Sequence, residues 1–179
     1  MFGGPPEDAD KAWEPVRQPY RILVDEHESA IPTVGHAMFR YRNALVLWGG
    51  NFFIAGSIRH SPTKYLYILP AGLLAGCRTL KWILYHVPNG DVPPSTSNAC
   101  ALLCDSYVYF FGGYIRRSRE NQVLEGHSSA IYVLDLEQEQ WSLTVSDNVL
   151  IPTPRDKMTG WTHKNRFAQH NIFLKSNLF

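Results

Sequence analysis

The chain has 179 residues, enough to bury a core in one domain or two, and its 45% apolar and 13% aromatic content is too high for a disordered polymer. A formal net charge of +1 excludes the strongly basic balance of a dedicated nucleic-acid binder. Three cysteines, Cys77, Cys100 and Cys104, exclude a disulfide scaffold and read as buried reduced thiols in a reducing compartment.

In chain order, residues 1–30 come first. They carry seven acids (Glu7, Asp8, Asp10, Glu14, Asp25, Glu26, Glu28) against Lys11, Arg17 and Arg21, and read as a flexible leader. Acids stand where a secretory signal needs bases. The longest mostly apolar run, Tyr65 to Cys77, is 13 residues with a proline inside, short of the ~20 a membrane span needs. The expectation is a soluble intracellular protein, cytoplasmic or nuclear, with no membrane and no nucleic acid among its partners.

Residues 31–89 form a first unit. IPTVGHAMFRYRNALVLWGG runs from a proline turn through two alternating segments, separated by Arg42-Asn43, to Gly49-Gly50. Residues 90–150 form a second. GDVPPSTSNACALLCDSYVYFFGGY repeats the order, with Asp105-Ser106 between the segments and Gly112-Gly113 at the end. Gly49 and Gly112 are 63 apart, and the turns at Ile31, Val92 and Ile151 succeed one another at 61 and 59. After each glycine pair we expect a loop, another apolar strand and one tryptophan, Trp82 and then Trp141, 59 apart. In SSAIYVLDLEQEQW, Ile131, Val133 and Leu134 can face a core and Asp135 starts the turn to Trp141. Glycine pairs allow backbone angles and close approaches closed to other residues, and a tryptophan fills the wedge between neighbouring sheets. Four short antiparallel strands per ~60-residue unit describe an all-β propeller blade.

These stretches resemble the kelch repeat over about residues 31–166. GDVPPSTSNACALLCDSYVYFFGGY and IPTPRDKMTGWTHKN look like the opening blades of kelch domain-containing substrate receptors of cullin–RING ubiquitin ligases. The resemblance implies a protein-interaction module, not an enzyme, that recruits proteins by reading their C-terminal tails, often ending in glycine. Lys157, in PRDKM, matches a lysine of the carboxylate-binding pocket. The pocket's arginines, tryptophans and further tyrosine, and the segment that docks such receptors onto the ligase, have no counterparts here.

The third unit, from Ile151 to Arg166, starts in pattern and then breaks: RFAQHNIFLKSNLF has no glycine pair, and residues 167–179 read as a divergent tail. Trp161 reads as core. The expected architecture is therefore an incomplete kelch-type propeller, two four-stranded blades and the start of a third. The alternative reading is a truncated isoform or fragment without receptor activity of its own that associates through exposed strand edges.

No catalytic constellation emerges, and no cofactor is implied. The seven histidines form no H-E-x-x-H or close pair, and His36 after Gly35 reads as structural. Ser128 and Ser129 beside His127 lack a nucleophile elbow and an orienting acid. Cys100 and Cys104, four apart on a strand, share one face but have no partners to complete a metal site. Some kelch propellers, such as galactose oxidase, are copper enzymes, but their ligands lie in blades this chain does not have. Arg116, Arg117 and Arg119 in RRSRE read as a solvated loop, with an acidic partner the minority reading.

Overall fold

A computed structural model describes residues 34–54, 56–70, 82–119, 122–144, 153–163, 166–169 and 172–175. The acidic leader, Cys77 and the turn at Ile151 lie outside the described residues.

Alternation builds the first hairpin. In β1 (Ala37–Tyr41) residues 37, 39 and 41 are buried while Met38 and Arg40 are exposed, the period of two that a strand imposes. β1 pairs with β2 (Ala44–Trp48) from Tyr41↔Ala44, leaving Arg42-Asn43 as a two-residue turn with Arg42 at φ 49°. β3 (Asn51–Ile54) and β4 (Ser57–His60) make a second, separate hairpin before β5 (Tyr65–Pro70) and β6 (Ile83–His86) complete the first sheet in the order β1-β2-β5-β6.

The second unit repeats the plan. After β7 (Asn89–Gly90) and β8 (Ser95–Ser97), β9 (Cys100–Cys104) turns through Asp105-Ser106 into β10 (Tyr107–Phe111), with Asp105 at φ 55°. β11 (Tyr114–Arg119) and β12 (Gln122–His127) form the separate hairpin, joined by β8. β13 (Ile131–Asp135) and β14 (Gln140–Leu143) complete a sheet in the order β7-β14-β13-β10-β9. Asp135 Oδ1 accepts from the N–H groups of Glu137 and Gln138 at 2.8 and 2.9 Å, which sets the turn into β14.

The structure corrects two expectations. Each double glycine leads into a two-stranded ribbon, not a loop, so RRSRE begins within β11. The stretch from Arg166 also pairs: β15 (Gly160–His163), β16 (Arg166–Gln169) and β17 (Ile172–Lys175) form a third antiparallel sheet.

The sheets bury both faces of their central strands. Val133 packs into a core with Cys100, Leu102 and Met158 on one side of β13, while Leu134, on the other side, joins Trp48, Phe110 and Trp141. That second cluster is the wedge between the first two sheets. Trp48 lies 4.2 Å from Phe110 and 5.6 Å from Trp141, centroid to centroid. Both indoles are about 1% exposed, and both donate, Trp48 Nε1 to Thr63 O at 2.8 Å and Trp141 Nε1 to Val87 O at 3.1 Å. Buried Glu139 of the second unit accepts from Tyr85 Oη of the first, a further tie across the joint.

Trp82 and Trp161 differ from these. Trp82 is only half-buried, one residue before β6. Its register still matches Trp141, because Ile83 pairs with Ile68 as Ser142 pairs with Val133. Trp161, expected in the core, is 55% exposed. The repeat offsets place it where Leu102 and Phe39 stand in the earlier units (161 − 102 = 59; 102 − 39 = 63). Those two are buried in the cores. Among the described residues no further sheet lies across β15 to cover Trp161.

Candidate functional site

The double glycines join one unit to the next. Gly50 N–H donates to Thr96 O at 2.8 Å and Gly113 N–H to Arg155 O at 2.9 Å, each reaching the proline turn of the next unit. Gly113 has φ 88°, and a Cβ there would lie 2.7 Å from Ser97 O. Gly50 has φ 83°, with His36 N 2.7 Å from the same point. Only glycine fits such angles and such contacts. A parallel thread links the turns: Asn98 N–H donates to Gly35 O, and Lys157 N–H donates to Asn98 O. All three residues are left-handed, at φ 68°, 57° and 54° for Gly35, Asn98 and Lys157. Lys157 thus occupies the position of Gly35 and Asn98, with its side chain exposed at the glycine end of the third unit.

The same end carries residues with no assigned partner. His36 Nδ1, Asn51 Oδ1 and His60 Nδ1 are buried without a hydrogen bond. Asn51 and His60 stand directly opposite each other across β3–β4, and the backbone of His36 abuts Gly50. Buried polar atoms are ordinarily satisfied, so these three retain unused hydrogen-bonding capacity. Burial, with the Arg116 guanidinium beside it and Glu125 opposing, holds the His60 imidazole below its ordinary range. It is neutral near pH 7, with one N–H to give and one nitrogen to accept.

That shift has a sign. Unfolded His60 takes a proton near 6.5 while the folded form resists, so the unfolded chain binds more protons below that pH and stability falls as pH falls. We expect His60→Gln to flatten the decline in urea midpoint between about pH 7.5 and about pH 5. An unchanged slope would assign the decline to other groups, His86 among them, whose imidazole is also held low by burial and then by Lys64.

One repeat mark is hidden in the sequence. His60-Ser61 and His127-Ser128 end the two ribbons alike: Ser61 N–H donates to Gly50 O and Ser128 N–H to Gly113 O, both at 2.9 Å. The pairs are 67 apart, off the 63-residue spacing, because Tyr114–His127 is four residues longer than Asn51–His60. His127 Nε2 lies 3.5 Å from Asp156 Oδ1, next to Lys157, so an acid does stand by this histidine. Ser128 Oγ, however, is buried and accepts from Ala130 N–H at 3.0 Å. Arg116 is not a free cation either; its Nε lies 3.0 Å from Glu125 Oε1, whose other oxygen accepts from Tyr114 Oη at 2.9 Å. Burial pushes the Cys100 and Cys104 thiols up, at Cys104 with the Asp105 carboxylate adding to it, which disfavours the reactive thiolate. Among the described residues no three His, Cys, Asp or Glu side chains form a metal-binding group.

Gly49 and Gly50 thus abut the first joint and Gly112 and Gly113 the second, Lys157 stands in the turn of the third unit, Trp141 lies in the core, and Trp82 is half-buried. Comparison with known proteins decides the kind of repeat. No family model matches the chain. It is 28% identical over 138 residues to Kelch domain-containing protein 1 of Mus musculus, a match covering 74% of this chain and 30% of that protein. The repeat is thus similar to that of the kelch domain-containing proteins. Kelch domain-containing protein 2 of Homo sapiens is 29% identical over 126 residues, covering 66% of this chain and 29% of that one. The solved structure of YjhT superposes with a TM-score of 0.50 at 12% identity, over 76% of this chain and 33% of that one, a likeness of fold alone. The kelch region here thus spans about 30% of the length of the curated relatives it matches.

Proposed function

We propose that this chain is a protein-interaction module whose glycine end takes the C-terminal tail of another polypeptide, in the manner of a ubiquitin-ligase substrate receptor. The observation that carries this reading is the trio of unpartnered buried atoms, His36 Nδ1, Asn51 Oδ1 and His60 Nδ1. A carboxylate end needs donors, which the ring N–H groups of His36 and His60 can give while Asn51 Oδ1 accepts an N–H of the tail, and a charged donor near it strengthens the hold. Lys157, exposed at the same end, is the lysine that the family resemblance places in such a pocket.

The test is fluorescence anisotropy with a short peptide ending in a Gly carboxylate against the same peptide amidated. We expect amidation to weaken binding about tenfold or more, equivalent to ~1.4 kcal/mol. Equal binding of both forms overturns the reading. Lys157→Asn separates contact from folding. Asn tolerates the left-handed backbone, so the variant gains up to about 1 kcal/mol of stability while losing the ammonium. A variant that is more stable yet binds the carboxylate peptide more weakly assigns Lys157 to the ligand. One that is more stable with unaltered binding assigns it to the turn.

A second reading, association with another chain, is favoured by the exposed Trp161. Light scattering on the eluted protein decides it: a single monomeric mass at all concentrations removes that reading.

A further inference from the structure

Among the described residues, the sheets led by β1, β9 and β15 form an array with two ends. They meet along these first strands: β1 lies against β9 and β9 against β15, each at the edge of its sheet. Every joint has two halves. The leading half is the face a sheet turns to the next unit, and Phe39 and then Leu102 stand on it, both buried. The trailing half is the face turned to the unit before. On the second sheet it carries Val108, Phe110, Leu134 and Trp141 within the wedge, with Ala101 packed against them. Phe39 meets Phe110 there edge to face, ring centroids 6.1 Å apart.

Each end of the array presents one half without the other. On the third sheet the leading position is Trp161, 55% exposed. On the first sheet the trailing face repeats that of the second. Met38, Leu45 and Leu47 stand 63 residues before Ala101, Val108 and Phe110. Leu69 pairs with Leu45 as Leu134 pairs with Val108, and Trp82 holds the place of Trp141. A solvent-facing side of an antiparallel sheet would be polar at such positions, and these five are apolar. Leu47 and Leu69 are buried but belong to neither core described above; Leu45 and Trp82 are half-buried. Met38, on the edge strand, is 58% exposed. Arg40 stands where Leu103 packs, and its Nε donates to Arg42 O at 2.9 Å, which holds the guanidinium at the hairpin turn.

We infer that two copies of the chain join head to tail, the third sheet of each receiving the first sheet of the other. Trp161 then stands to Met38 and Leu47 as Phe39 stands to Ala101 and Phe110. This deepens the association reading above and rests on it. The occupant is a second copy because the chain already uses this joint internally, and each copy carries the missing half of the other's. The Met38 side chain, unbranched and adaptable, accommodates an indole where the internal joint has a phenyl ring. The count of sheets agrees: two copies bring six, within the roughly four to eight blades that close a propeller. A two-fold axis makes the two new joints identical and leaves no open end.

The experiment uses the whole chain, light scattering over a range of concentrations, and the variants Met38→Glu and Trp161→Glu. We expect the parent to rise to twice the mass of one chain and no further. Each variant alone should need about tenfold more protein, or above, for the same conversion. Mixing the two variants is the decisive step. One joint then carries both carboxylates, while the other pairs an unaltered Trp161 with an unaltered Met38, so the mixture should associate more tightly than either variant alone. Met38→Thr and Trp161→Thr, suited to strands, should repeat this order more weakly. A mass that keeps growing past two chains, or a mixture no tighter than its components, overturns the inference. So does a pair that Trp161→Glu dissociates and Met38→Glu leaves intact, which is the pattern of Trp161 packed on Trp161; the association reading survives it. A monomer at every concentration overturns both. At the lowest concentration, where the chain is monomeric, the variants should keep the parent's melting curve because both side chains are exposed, so lost pairing is not lost folding.

Discussion

Trp48→Ala should be among the most destabilising single substitutions in the chain, costing about 3–5 kcal/mol in a urea or thermal melt. Trp48 is the indole that the first two sheets share. It packs at 4.2 Å from Phe110 and 5.6 Å from Trp141, and it is about 1% exposed. Truncation leaves a cavity that flat rings on both sides cannot close, and it strips Thr63 O of its indole donor. Trp161→Ala is the internal control. Being 55% exposed, Trp161 should move stability by no more than about 0.5 kcal/mol. If the two substitutions cost the same, the wedge between the sheets is not where the stability lies.

The second large effect is expected from Gly113→Ala. The residue sits at φ 88° with Ser97 O 2.7 Å and Ala99 N 3.1 Å from where a methyl would go. Left-handed backbone alone costs an alanine about 1–2 kcal/mol. The methyl must also push the neighbouring turn away, which endangers the Gly113 N–H bond to Arg155 O, worth another ~0.5–1.5 kcal/mol. Two companions divide the contributions. Gly56 has φ 78° but open space around it, so Gly56→Ala reports the backbone cost alone. Gly126 has neither constraint, and Gly126→Ala should be neutral or slightly stabilising. An ordering in which Gly113→Ala costs no more than Gly56→Ala would show that the joint gives way without loss.

The units are legible in the sequence because their marks are local. A glycine pair after an alternating run, a two-residue polar turn and Asp135 ahead of Trp141 are all short-range signals, and they recur at nearly constant offsets. The ribbons are not. NFFIAGSIRH mixes apolar and polar residues on both faces, and in YIRRSRENQVLEGH charge hides the period of two. The His-Ser ends are masked because four extra residues in the second ribbon move them off the spacing. Trp48 is masked for another reason. Phe111 fills its position in the second unit, so no repeated tryptophan marks it, and only the packing of distant strands reveals its place. Trp161 departs from the core expected of it because burial on a strand face depends on what lies across it, which no local pattern states. At the candidate site, Lys157 is reached by resemblance, whereas the unpartnered atoms of His36, Asn51 and His60 emerge only once the ribbon folds back on the glycine joint.

The joints between units make contact only with their immediate neighbours, and this gives the molecule a direction of weakness. The joint between the first two sheets holds three mutually tilted, packed aromatic rings and the Tyr85–Glu139 tie. Among the described residues, the next rests on Met158 against the Cys100 cluster, on the His127–Asp156 contact and on the backbone bonds Gly113–Arg155 and Lys157–Asn98, with no shared aromatic cluster. In an array of nearest-neighbour contacts, stability adds joint by joint and openings begin where a joint is thinnest. The amides of Gly113 and Lys157 should then exchange with solvent sooner than those of Gly50 and Asn98. On that ordering Lys157 would lie on the side of the molecule that opens first, and a ligand held there would tighten the looser joint.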